Sequence, residues 1–264
     1  MKLKIGEISY ANMYPVFETL RGRFDCSEYE FVPGVPSDLN IRLREGDIHV
    51  SPSSSVEYLK NKELYRLIDG HSISSYGAVQ SILLFSREPL ERLEGKRIAV
   101  TSESDTSALL LRVILERFRG IRPVYARRRV DLPDSDDSSA ASLLIGDAAL
   151  RAAVTEIDWK RYDLGALWTK ETGLPFVWAL WIHRKDLGAE LESLVRALAD
   201  QIRQTGYLMK FDLAALARSA PQAEWLGERR LVDYWENLSY ELAARHMEAL
   251  DLFAKLIGEL PVER

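Results

Sequence analysis

Small polar residues stand at the ends of three apolar runs: Asn12 in IGEISYANMYP (residues 5–15), Ser81 in GAVQSILLFS (77–86), and Gly146 with Asp147 in LLIGDAAL (143–150). A buried strand that stops at such a residue delivers it to the edge where open α/β sheets hold ligands. An amide and a hydroxyl are poor bases at neutral pH, so the chemistry they offer is hydrogen bonding to a small polar molecule. Two serine-rich segments add donors. TSESDTS (101–107) lies between a strand pattern and a helix pattern. The hydroxyls of Ser102, Thr106 and Ser107, with the N–H groups at the positive helix end, would cradle one carboxylate. SPSSS (51–55) brings Ser53 and Ser54. Gly146 allows close backbone approach, and the anionic Asp147 suits a hydroxyl or a neighbouring loop better than a carboxylate.

Each residue also has a plainer reading. Asn12 before a helix fits an N-cap, worth about 1 kcal/mol. Ser81 in a strand fits a buried hydroxyl with its partner. TSESDTS contains capping residues, and Gly146–Asp147 fits a strand-ending turn. Their common placement at strand ends is the stronger argument for a site. The four histidines (His49, His71, His183, His246) show no ligand spacing and read as structural or surface groups, so no metal is expected. Cys26 is the single cysteine, which excludes an internal disulfide, and it has no paired histidine. Trp168, Trp178 and Trp181 read as core or as walls of a cleft.

The elements that must position these residues follow a βαβαβ rhythm. LKIGEIS forms a strand, Asn12–Leu20 a helix with Pro15 in its first turn, and Tyr29–Val32 a strand. PSDLNIRLREG is a helix closed by Gly46, DIHVSP a strand, SSVEYLKNK a helix and YRLIDGHSIS a strand, giving a mostly parallel sheet. GAVQSILLFS is a long apolar strand, and a short helix and turn follow at EPLERLEGK. KRIAVT, TSALLLRVILERF, RPVYAR and AASLLIGDAAL repeat the rhythm as strand, helix, strand and strand into turn, with a polar loop or short helix at DLPDSDDSS. PFVWALWIH (175–183) is the second long apolar strand, after which strands cease and helices begin near Gly188. Two long strands flanking a small α/β unit divide the chain into a discontinuous first lobe (1–88 and 178–264, including the C-terminal helices) and a second lobe (89–177). The fold class is α/β, a two-lobe type II periplasmic-binding-protein-like fold. The ligand cleft falls between lobes, with a hinge near residues 86–89 and 175–178.

At 264 residues and 47% hydrophobic, the chain can bury a sizeable core, and its net charge of −5 argues against a nucleic-acid or membrane surface. The basic run Arg127–Arg129 beside the acidic loop Asp131–Asp137 reads as a solvated loop pair. MKLKIGEIS enters a strand directly, without the apolar stretch of a secretory signal, and no apolar run approaches ~20 residues. A soluble protein of the reducing cytoplasm is expected; the oligomeric state is open.

The strings IGEISYANMYPV, VPSDLNIRLREGDIHVSPSSSVEYL, GAVQSILLFSREPLERLEGKRIAVTSESDTS, LLIGDAAL and YDLGALWTKETGLPFVWALWIHR occur in order over about the first 185 residues. In this the chain resembles the MqnA/MqnD family of menaquinone biosynthesis, on its chorismate dehydratase branch of the futalosine route. The resemblance implies loss of water from chorismate to give 3-[(1-carboxyvinyl)oxy]benzoate without a cofactor, with Asn12 and Ser81 at the active-site positions. The enolpyruvyl carboxylate of the substrate would take the proton. GAVQS and TGLPFVWALW favour this branch over the sister that makes dihydroxynaphthoate. A non-catalytic small-carboxylate binding protein is the alternative of another class. A regulator's effector domain is a further one, against which no helix-turn-helix segment is evident.

Overall fold

The structure is a computed structural model in which residues 1–133 and 138–261 are described. Part of the acidic loop expected at Asp131–Asp137, and of DLPDSDDSS, lies outside the described residues. In chain order the elements are β1 (Leu3–Ile8), α1 (Tyr14–Arg23), β2 (Tyr29–Gly34), α2 (Pro36–Glu45), β3 (Val50–Ser54), α3 (Ser55–Lys60), β4 (Tyr65–Ser75) and β5 (Ile82–Ser86). There follow β6 (Arg97–Thr101), α4 (Asp105–Arg112), β7 (Val124–Arg128), β8 (Ala141–Ile145), α5 (Gly146–Val154), β9 (Lys160–Asp163), α6 (Leu164–Thr172) and β10 (Phe176–Arg184). The last are α7 (Ala189–Leu208), α8 (Leu213–Ser219), α9 (Ala223–Leu226), α10 (Glu228–Asn237), β11 (Ser239–Leu242) and α11 (Ala244–Gly258). The described residues form two compact units, 1–74 with 177–243, and 75–133 and 138–176 with 244–261.

The first unit is a six-stranded sheet in the order β11-β4-β10-β3-β1-β2. β1 lies parallel to β2 and β3, while β10 runs antiparallel to β3. β3 is buried along its whole length, as a strand covered on both faces must be. Proline stands in the first turn of α1 and of α2, where its missing N–H costs nothing, and Gly46 at φ +85° closes α2. α7 buries Leu191, Val195, Leu198 and Ile202, spaced four, three and four apart on one face.

The second unit is a five-stranded sheet in the order β7-β6-β8-β5-β9. β6 is parallel to β7 and β8, and β5 is antiparallel to both β8 and β9. Leu83, Phe85, Ala99 and Leu144 from its strands pack with Ala149 and Ala152 of α5. An aromatic group adds to the core: Trp168 lies 5.2 Å from Phe176 and 6.0 Å from Phe253, ring centre to ring centre. The Trp168 indole donates to the Pro175 carbonyl at 2.9 Å.

Four expectations are corrected. Residues 77–81 are a loop, and the strand begins only at Ile82. β5 is hydrogen-bonded on both sides within the second sheet, so the chain leaves the first unit at residues 74–75 and not near Pro89. Strands do not cease after β10, because β11 pairs with β4. The final helix does not complete the first unit: Phe253 of α11 sits 4.9 Å from Phe176, and Arg112 donates to the Pro261 carbonyl at 2.7 Å. The long helix from Thr106 holds to Phe118, with its second half, Val113–Phe118, wound as a π-helix.

Candidate active site

In the first unit the C-terminal ends of β1, β2 and β3 share one edge of the sheet, because the three strands are parallel. Asn12 lies in the turn just beyond β1, which closes through a bond from the Met13 amide to the Tyr10 carbonyl at 3.0 Å. Met13, not Asn12, is the N-cap of α1, and its side chain makes no cap bond. The capping role open to Asn12 is therefore not the one it plays. Its Oδ1 is buried with no hydrogen-bond partner, which for a buried amide oxygen costs stability unless something else fills the bond.

Two aromatic side chains from the end of the first unit hold this turn. The Trp235 indole N–H donates to the Ala11 carbonyl at 2.7 Å, and the Tyr240 hydroxyl to the Asn12 carbonyl at 2.9 Å. The Tyr14 ring stacks on Trp235 at 6.2 Å with the planes 9° apart. Burial raises the Tyr240 phenol well above its ordinary pKa, so it remains a donor. Behind it lies His71, with ring centres 5.8 Å from Tyr240 and 6.3 Å from Trp181. Burial pulls the His71 pKa down to about 3, and neither ring nitrogen has a partner.

Ser53 and Ser54 end β3 at the same edge. Ser53 is fully buried and its hydroxyl has no partner, whereas the Ser54 hydroxyl accepts from Asn40 Nδ2 at 3.2 Å. Ser55 donates to the Val177 carbonyl.

In the second unit one edge gathers Ser81, Gly146, Asp147 and residues 102–107. Ile82 pairs with Ile145, and β6 and β8 run parallel to this same end. The Gly146 amide donates to the Ser81 carbonyl at 2.8 Å, with Gly146 at φ +56°, a conformation glycine adopts without steric cost. Gly146 and Asp147 open α5 rather than a simple turn. At 101–107 the cap of α4 is Ser104, whose hydroxyl accepts from the Ser107 amide at 3.2 Å and lies 3.1 Å from the Ser107 hydroxyl. Thr106 is buried; Ser102 is exposed and gives its amide to the Arg128 carbonyl at 3.0 Å. Asp105 already places a carboxylate at this helix end, paired with Arg127 at 2.6 Å.

Ser81, Gly146, Asp147, Ser102, Thr106 and Ser107 thus lie in the second unit, and Asn12, Ser53 and Ser54 in the first. The four-residue strand that carries Tyr240, and the role of Trp235, were missed, since an aromatic in a helical segment reads as core. Trp168 and Trp181 are core residues. His49 accepts from the Lys4 amide and His183 bonds the Arg184 carbonyl, both structural roles. Among the described residues no group of three or more His, Cys, Asp or Glu could hold a metal ion, and no helix is long and apolar enough to cross a membrane.

The menaquinone-biosynthesis family matches residues 3–259 of the chain. The chain is 31% identical to a chorismate dehydratase of Thermus thermophilus, over 96% of its own length and 94% of that protein. A 1,4-dihydroxy-6-naphthoate synthase of the same organism is 30% identical over 63% of the chain and 58% of the relative. Among solved structures, the alkanesulfonate-binding protein SsuA of Xanthomonas axonopodis superposes with a TM-score of 0.69 at 17% identity, covering 97% of this chain and 94% of that one. A Candida albicans protein described as having the generic periplasmic binding protein fold superposes with a TM-score of 0.65 at 11% identity, covering 100% and 92%. The two-sheet α/β architecture is that fold.

Proposed function

Because the chain belongs to the menaquinone-biosynthesis family, we propose that it is a chorismate dehydratase, a carbon–oxygen lyase that removes water from chorismate to give 3-[(1-carboxyvinyl)oxy]benzoate. The likeness to a chorismate dehydratase over nearly the whole of both chains carries the reading. The likeness to the naphthoate synthase stops at about 60% of each, which makes that activity the weaker one.

The reaction takes a proton from ring carbon C3 and a hydroxyl from C4 and leaves an aromatic ring, so it is strongly downhill. What the protein must supply is orientation. Asn12 offers a buried acceptor oxygen with its bond unfilled. An amide carries an acceptor oxygen and an NH2 donor, so Asn12 is assigned to holding the enolpyruvyl carboxylate or the departing C4 hydroxyl. The enolpyruvyl carboxylate of chorismate is the base, taking the C3 proton and returning it to the departing C4 hydroxyl, which leaves as water, and Ser81 hydrogen-bonds that region of the substrate. Ser53, with a buried unpartnered hydroxyl, is assigned to substrate binding, together with Ser54, Ser102, Thr106, Ser107, Gly146 and Asp147. The reading takes a cytoplasmic setting and needs no cofactor.

The test is to incubate the purified protein with chorismate and follow the diene absorbance together with product mass. A product lighter by one water, lost in Asn12→Ala, is the expected result. Chorismate bound but unchanged would instead identify a binding protein.

A further inference from the structure

The loop that precedes Ser81 is held by side chains of one short segment, residues 163–169. The Asp163 carboxylate accepts backbone N–H groups from the loop and from α6: Val79 at 3.0 Å and Ala166 at 3.1 Å on Oδ1, and Gln80 at 2.7 Å on Oδ2, with the Gly165 amide also turned to it. Thr169 Oγ1 accepts from the Gly77 amide at 2.9 Å. Gly165 packs so closely that a Cβ there would stand 2.5 Å from the Gly77 carbonyl oxygen. Gln80 itself sits at φ +65°, the one positive φ outside glycine among the described residues. Such a backbone costs about 1–2 kcal/mol in an L-residue and persists where its surroundings impose it.

Capping α6 requires only the Ala166 bond. The bonds from Val79 and Gln80 are those of the residues immediately before Ser81, and the Ser81 carbonyl is fixed on its far side by the Gly146 amide. The geometry is available because Asp163 pairs with Leu83 in the β5–β9 ladder, so its side chain reaches back along the neighbouring chain to residues 79 and 80.

We infer that Asp163 is the positioning residue of the active-site serine: its carboxylate holds Gln80 in the left-handed conformation that aims Ser81, and α6 is the splint. This rests on the dehydratase reading of Ser81. Asp163→Asn is a selective probe, because the retained amide oxygen can still serve Val79 and Ala166 while its NH2 group confronts the Gln80 N–H.

The experiment measures kcat, KM and amide hydrogen exchange in the wild type, Asp163→Asn, Gln80→Gly and the double variant. In Asp163→Asn the Gln80 amide should exchange faster, and kcat should fall about tenfold or more while KM changes less than about threefold, as expected when a charge-assisted bond holding a catalytic group is lost. Glycine adopts positive φ without that cost, so Gln80→Gly placed on Asp163→Asn should restore kcat about fivefold. If Asp163→Asn proves insoluble, Thr169→Val, which removes the Gly77 bond together with the hydroxyl's bond to the Leu174 carbonyl at 3.1 Å, should give the same split at about threefold. A wild type that converts chorismate beside an Asp163→Asn that converts it equally fast overturns the inference alone. So does a double variant no faster than Asp163→Asn. A wild type that leaves chorismate unchanged overturns the dehydratase reading as well, with exchange at Gln80 still reporting whether the clamp exists.

Discussion

The Tyr240 hydroxyl donates to the Asn12 carbonyl at 2.9 Å across 228 positions of chain. The turn that carries the proposed active-site amide is thereby fastened by a residue from β11, at the far end of the first unit. Tyr240→Phe removes the donor and leaves a carbonyl to find another partner. The expected loss is about 1 kcal/mol of stability, with kcat reduced more than KM is raised. Chemical denaturation and steady-state kinetics check the two halves separately.

Asn12→Ala distinguishes a working amide from a capping one. A cap would cost about 1 kcal/mol on removal. Met13 occupies that position and Asn12 Oδ1 has no partner to lose, so the variant should match or exceed the wild type in melting temperature. Turnover should fall by roughly 100-fold, the scale seen when a single polar contact to the reacting centre is deleted. A variant that is clearly destabilised yet fully active would make Asn12 structural.

The end of β8 was legible because a strand buried on both faces reads as an apolar run, and LLIG shows where it stops; β3 is VSPSS, buried but polar, so its last two residues were drawn into the following helix. Less visible was what happens when burial continues beyond the strand. Val79 is buried like a strand residue, yet its N–H goes to the Asp163 carboxylate instead of a ladder, so apolar character drew the strand back to Gly77. β11 is four residues long and exists through a pairing with β4 at a separation no local pattern reports. The apolar face of α11 could be read from its spacing, but which core it fills is decided by Phe253 meeting Trp168 and Phe176. Ser104 was within the segment singled out at 101–107; only the geometry separates the cap from the hydroxyls beside it.

His71 should set an acid limit to the fold. Its folded pKa of about 3 lies below the ordinary value of 6.5, so the sign is that of a depressed group. Above pH 6.5 both states are neutral and its effect is absent. As pH falls from 6.5 toward 3 the unfolded chain takes up a proton that the folded one refuses, and stability is lost, by roughly 3 kcal/mol at pH 4. His71→Leu, close in volume and without buried unpaired nitrogens, should flatten that limb while leaving the melting temperature at pH 7 little changed or raised. Melting curves from pH 7 to pH 4 decide it; parallel profiles for the two proteins would show that His71 is protonated or solvated in the fold.

Ser53 and Ser54 are neighbours with opposite expectations. The Ser54 hydroxyl accepts from the buried Asn40 Nδ2, so Ser54→Ala leaves an amide without its acceptor and should cost about 1–3 kcal/mol. The Ser53 hydroxyl is buried with no partner, and Ser53→Ala removes a desolvated polar atom without breaking a bond, so stability should hold or rise. If Ser53 belongs to the substrate site, that variant should nevertheless raise KM for chorismate, by about tenfold for one lost hydrogen bond. The telling result is the pairing of an unchanged melting temperature with a raised KM. A Ser53→Ala protein with wild-type KM would remove Ser53 from the site and leave SPSSS with structural bonds such as Ser54–Asn40 and Ser55–Val177.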